Sequence, residues 1–107
     1  MFNLFKKKDE PKADYEFSEP ENTACFTCDH ILNRQRPILS VTHEAEDGAW
    51  QFMCGHDDHD ESNGKIISLK QITEIDNSIN ALSDMPLGCG ADRESINDNW
   101  QGYTIAE

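Results

Sequence analysis

The run Trp50-Gln51-Phe52-Met53-Cys54 leads directly into Gly55-His56-Asp57-Asp58-His59, so an apolar strand-like segment feeds a loop crowded with metal-ligand types. No other stretch limits the fold as strongly. A strand must find pairing partners, and the thiol and imidazoles at its exit must either be solvated or be drawn to a common ion. Upstream, Cys25-Phe26-Thr27-Cys28 carries two more sulfurs at a spacing that lets one tight turn grip a single ion. The expectation is that the two segments meet at a structural metal of the zinc type.

Asp47-Gly48, just before the strand, is a strong hairpin signal, because a two-residue type I′ turn needs φ > 0 at both central positions. Ile38–His43 alternates and is rich in β-formers, so it supplies the other strand. A turn centred on Asp47-Gly48 pairs Ala45 with Trp50, His43 with Phe52 and Val41 with Cys54. Leu39, Val41, Trp50 and Phe52 then share one face, the expected core. Cys54 falls at the end of the hairpin away from the turn, where the chain arrives from Cys28. That geometry is the reason to join the two half-sites.

Downstream, Ile66-Ile67 reads as a short strand. Ser68-Leu69-Lys70-Gln71 fits a capping box, and Leu69, Ile72 and Ile75 recur at helical spacing, which predicts a helix near 69–76. Asp76 or Asn77 can cap a second short helix through Ile79 and Leu82, ended by Pro86. Leu87–Gly90 is turn-prone. Residues 91–107 carry no clear period, although Trp100 and Tyr103 are expected to pack on the domain. Residues 1–22, rich in Lys, Asp, Glu and Pro, read as a disordered or loosely docked tail in which Tyr15 and Phe17 could dock. Residues 23–107 read as a single domain.

A chain of 107 residues with 36% hydrophobic content has a modest core, which a metal staple would help. The net charge is −12, and residues 13–107 alone carry −14. Phosphate binding normally needs a basic footprint, so nucleic acid is not an expected ligand. The acidic surface suits a basic protein partner reached by electrostatic steering, or simply solubility. No apolar run approaches the about 18 residues of a membrane span. The terminal Met1–Phe5 is too short, and its lysines follow rather than precede it, so it is no secretory signal. A cytoplasmic location with reduced thiols is expected, which favours metal over disulfides.

The donor list comprises Cys25, Cys28, His30, Cys54, His56 and His59, with His43 and Cys89 further away. A closed zinc site takes four N/S ligands. The expected set is Cys25, Cys28, Cys54 and His59, because Cys-x4-His lets the loop return to the ion its own cysteine holds; His30 or His56 could replace one member. His43 reads as a strand residue beside Phe52, and Cys89 as a small buried thiol. A metal-dependent hydrolase centred on His56–His59 is the alternative function, but such chemistry needs ligands from several elements around ions with open positions. A thiol redox role needs a strand before the Cys-x-x-Cys motif, and Glu21–Ala24 does not read as one.

With these residues in hand, the chain resembles a group of small bacterial proteins of unknown function. The likeness lies in Cys28-x-His30, in Asp47-Gly48-Ala49-Trp50-Gln51-Phe52-Met53-Cys54-Gly55 with His59, in Asp76–Gly88, in Ala91-Asp92-Arg93 and in Trp100. It also resembles, more loosely, the immunity-protein domains of bacterial toxin systems. The resemblance implies a compact domain without naming a reaction. The expected fold is α+β, a small antiparallel sheet built on the 38–54 hairpin with one or two short helices. The expected function is that of a non-enzymatic acidic interaction protein of immunity type, stapled by zinc.

Overall fold

The computed structural model describes residues 15–56 and 61–105. Among them, six strands form one sheet: β1 (Ala24–Cys28), β2 (Ser40–His43), β3 (Trp50–Met53), β4 (Gly64–Ser68), β5 (Cys89–Asp92) and β6 (Gln101–Thr104). Their order across the sheet is β4-β1-β3-β2-β5-β6. Two short helices, α1 (Asp29–Leu32) and α2 (Leu69–Ile75), and a 3-10 segment at Asn77–Leu82, besides a single 3-10 turn at Glu61–Asn63, complete the α+β architecture. The sheet is mixed rather than wholly antiparallel, because β1 runs parallel to β3 with Phe26 opposite Gln51.

The β2–β3 hairpin forms, with a register two residues from the expected one. His43 faces Trp50, Val41 faces Phe52 and Ser40 faces Met53. The cause lies in the turn. Gly48 takes φ 72, but Asp47 does not enter the left-handed region, so no type I′ turn can form. Instead, the Asp47 carboxylate accepts the Ala49 N–H at 3.0 Å, and the Glu44 carbonyl accepts the Gly48 N–H at 3.0 Å. A slip of two keeps every side chain on its face. Val41, Trp50 and Phe52 are therefore still buried, while Leu39 is half-buried and Ile38 takes the core position beside it.

Local hydrogen bonds set the helices. Ser68 and Gln71 form the full capping box at the start of α2. The Asp76 side chain accepts the Ser78 N–H and opens the 3-10 segment, which ends at Leu82 before reaching Pro86. Leu69 and Ile72 of α2, Ile79 and Leu82 of the 3-10 segment, and Ile31 of α1 join Val41, Trp50 and Phe52 in one core cluster. Phe17 seats edge-on against Trp50, with ring centroids 4.9 Å apart. The stretch around it is held by Trp50 Nε1, which donates to Glu19 at 2.8 Å, and by the Glu16 N–H, which donates to Asn80 at 3.0 Å.

Strand alternation leaves the sheet with two unlike faces. Cys25, Thr27, Trp50, Phe52, Val41, His43 and Ala91 point into the core. The registers place Phe26, Ile66, Gln51, Met53, Ser40, Thr42, Gly90, Asp92 and Tyr103 on the other face. That face is more open. Phe26 is 41%, Ile66 65% and Tyr103 39% exposed.

Candidate metal centre

The parallel pairing of β1 and β3 brings their C-terminal ends side by side. Cys28 closes β1 and serves as the N-cap residue of α1; Cys54 follows β3 directly; His30 lies in α1. One ligating atom from each of Cys28, His30 and Cys54 lies within 4.8 Å of the others. Both cysteines are completely buried. A tetrahedral zinc ion with sulfur at about 2.3 Å and imidazole nitrogen at about 2.0–2.1 Å holds its donors some 3.5–3.8 Å apart. Closing these three on an ion therefore requires shifts of about 1 Å or less, and the donor set fits the metal.

The surroundings feed hydrogen bonds to the sulfurs. The Cys28 thiol receives the backbone N–H groups of Ile31 and Cys54. Arg36 Nη1 donates to Cys54 Sγ at 3.6 Å and lies 3.5 Å from His30 Nδ1. Such donors favour sulfur in its anionic, ligating form. Burial opposes them and raises the Cys28 pKa, and neighbouring Cys54 pushes the same way. Without an ion, the pocket therefore holds Cys28 as a thiol. A cation would reverse that balance.

Cys25 is not in this group. Cys25–Cys28 is not the tight turn that the Cys-x-x-Cys spacing suggests, because all four residues lie in β1. Three steps along a strand reverse the side-chain direction and advance the chain about 10 Å. Cys25 therefore enters the core opposite Ile67, and burial pushes its thiol up to about 12. Of the remaining expected donors, His59 lies outside the described residues and His56 is exposed. His43 stacks on Trp50 at 3.9 Å, and its Nδ1 sits 2.8 Å from the Met85 carbonyl oxygen. Cys89 is half-buried. The Asn63 amide donates to Asp29 at 3.2 Å, which places Asn63 beside α1.

A family model described as the immunity protein Imm33 domain matches residues 34–104. The chain belongs to the Imm33 immunity-protein family. The likeness to immunity domains seen in the sequence is thereby borne out. The Imm33 match includes Cys54 but begins downstream of Cys28 and His30, so two of the three grouped donors sit outside it. It also omits β1, which lies between β4 and β3 in the sheet. No curated protein and no solved structure matches the chain. Neither the Imm33 family nor the arrangement of the described residues lends support to the hydrolase alternative.

Arg36 escaped the sequence reading. Its only signal was a guanidinium one residue before Pro37, in the loop returning from α1 to β2, and that is not enough to place it on a sulfur. Arg93 escaped as well, although it stood within the family likeness. Its side chain is buried against Asp76 and Trp100.

Proposed function

We propose that this chain is a non-enzymatic immunity protein. It binds a cationic toxin made by the same cell and blocks it by occupying its surface. The match to the Imm33 domain over residues 34–104 carries this reading. The net charge of −12 supports a basic partner, because opposite fields speed encounter and disfavour wrong pairings. The cytoplasm is the expected site of action; among the described residues, no helix is long and apolar enough to cross a membrane.

In the same reading, zinc ties the ends of β1 and β3 together through Cys28, His30 and Cys54, with His59 as the fourth donor. Two thiolates would balance the charge of the ion, and two neutral imidazoles would complete a closed structural shell. The described residues on either side of His59 support it, since Cys54 belongs to the group and Asn63 donates to Asp29 beside His30. The metal here would supply folding free energy, not a reactive water.

The test is co-expression with any toxin domain found encoded next to this gene. Restored growth and a purified complex of the two chains are the expected results. Absence of both rescue and binding would count decisively against the reading.

A further inference from the structure

We propose that the open face of the sheet, centred on Phe26, Met53 and Ile66, is the surface that docks the cationic partner. The inference rests on the immunity reading and adds the place of contact.

Five large apolar side chains are exposed among the described residues, and three of them (Phe26, Ile66 and Tyr103) belong to this face. Phe26 and Ile66 are direct cross-strand partners, and the half-buried Met53 lies near them on β3. Together with Thr27, Gln51 and Gly64 they line a shallow cavity of about 410 Å³. An apolar cluster rimmed by polar groups is the form protein-binding sites take on soluble domains.

Charge selects the occupant. Asp92 is the charged residue that the strand registers put on this face. The hairpin turn at one end adds Glu44, Glu46 and Asp47, and both Asp92 and Glu44 act on the Tyr103 hydroxyl. Among the described residues, few cations compete. Arg93 is buried on Asp76, Arg36 lies against Cys54, and Lys70 pairs with Glu21. Lys65, on the edge strand, is the one charged residue that lines the cavity, so the negative field comes from the surface around it. An apolar centre inside a negative field fits a basic protein that presents an apolar or aromatic anchor. It disfavours a second copy of this chain, which would bring −12 against −12.

The probe is any toxin domain found encoded beside this gene, purified in an inactivated form. Its affinity is measured for the native chain and for Phe26→Ala, Ile66→Lys, Asp92→Lys and Ile96→Lys. Ile96 is 60% exposed and lines a different cavity with Arg34 and Arg36, so it carries the same change to another place. Ile66 is so exposed that its replacement should leave the unfolding transition unchanged, which keeps the test valid if Phe26→Ala proves unstable.

The proposal expects at least about thirtyfold weaker binding for Ile66→Lys, the loss typical of a central anchor. It also expects slower association for Asp92→Lys and native affinity for Ile96→Lys. Native affinity in Ile66→Lys and Phe26→Ala, with the loss confined to Ile96→Lys, overturns the surface while leaving the immunity reading intact. A native chain that does not bind the toxin domain overturns both. A native chain that is a dimer through Phe26 and Ile66 overturns the assignment of this face to the partner.

Discussion

Removing the Asp76 carboxylate should be among the most destabilising single changes outside the apolar core. The Arg93 side chain is only 2% exposed and meets Asp76 at 2.8 Å. Its guanidinium also donates to the Ile38 carbonyl at 3.0 Å and lies 4.1 Å from the Trp100 ring. Asp76→Ala would leave this buried cation uncompensated, which typically costs about 3–5 kcal/mol. Asp76 is itself 23% exposed, so water entry brings the loss towards the lower end of that range. Its other oxygen caps the 3-10 segment through the Ser78 N–H, and losing that cap adds about 1 kcal/mol. The sum is about 4 kcal/mol, a large share of the 5–15 kcal/mol typical of whole domains. Urea unfolding followed by tryptophan fluorescence measures it. Asp76→Asn keeps the cap oxygen and isolates the ionic part, and a double-mutant cycle with Arg93→Met gives the coupling. A loss below about 1 kcal/mol for Asp76→Ala would show that the pair is solvated and would refute the reasoning.

Thiol titration of the native, metal-loaded chain should show one fast group. Cys89 is half-buried, whereas Cys25, Cys28 and Cys54 are sealed and should react only as fast as the chain opens; three fast thiols would contradict the packing. Stability should fall as pH rises through the window from 9 to 12. Burial holds the folded Cys25 thiol at about 12 against an ordinary value of 9.0, so deprotonation favours the unfolded chain above pH 9. This thiol accounts for at most about 4 kcal/mol of the decline, and Cys25→Ala should flatten the slope. An unchanged slope would move the effect to Tyr15, which burial also pushes up to about 12. Gly90→Ala should cost about 1 kcal/mol, because an added Cβ would lie 2.6 Å from the Tyr103 ring that crosses it. Combining it with Tyr103→Ala should cost less than the two separate losses added together, and strict additivity would contradict the contact.

The parts of the fold legible in the sequence are those decided by neighbours along the chain. The capping box of Ser68 and Gln71 and the cap at Asp76 are local hydrogen-bond patterns, and both appear where the residues place them. The alternation of Val41, Trp50 and Phe52 also survives, because a register slip of two preserves faces. What escaped depends on distant partners. β1 looked like a metal-gripping turn because Cys-x-x-Cys is a strong local motif, yet Cys-Phe-Thr-Cys is also strand-compatible. Only its pairing with β3 and β4 decides between the two. β5 was hidden by Gly90, whose missing side chain is replaced by the Tyr103 ring from the next strand. At the site, Cys28 and Cys54 were legible as partners, and His30 as an alternative ligand. The separation of Cys25 was not, since it follows from strand geometry alone.

Metal content of the purified chain, compared among the native protein, Cys25→Ser, Cys28→Ser and Cys54→Ser, tests the metal centre most directly. About one zinc per native chain is predicted, retained in Cys25→Ser and lost in the other two, with chelation unfolding the native domain. A native protein that folds and stays folded without zinc, or a Cys25→Ser variant that loses the ion as completely as Cys54→Ser does, would contradict it.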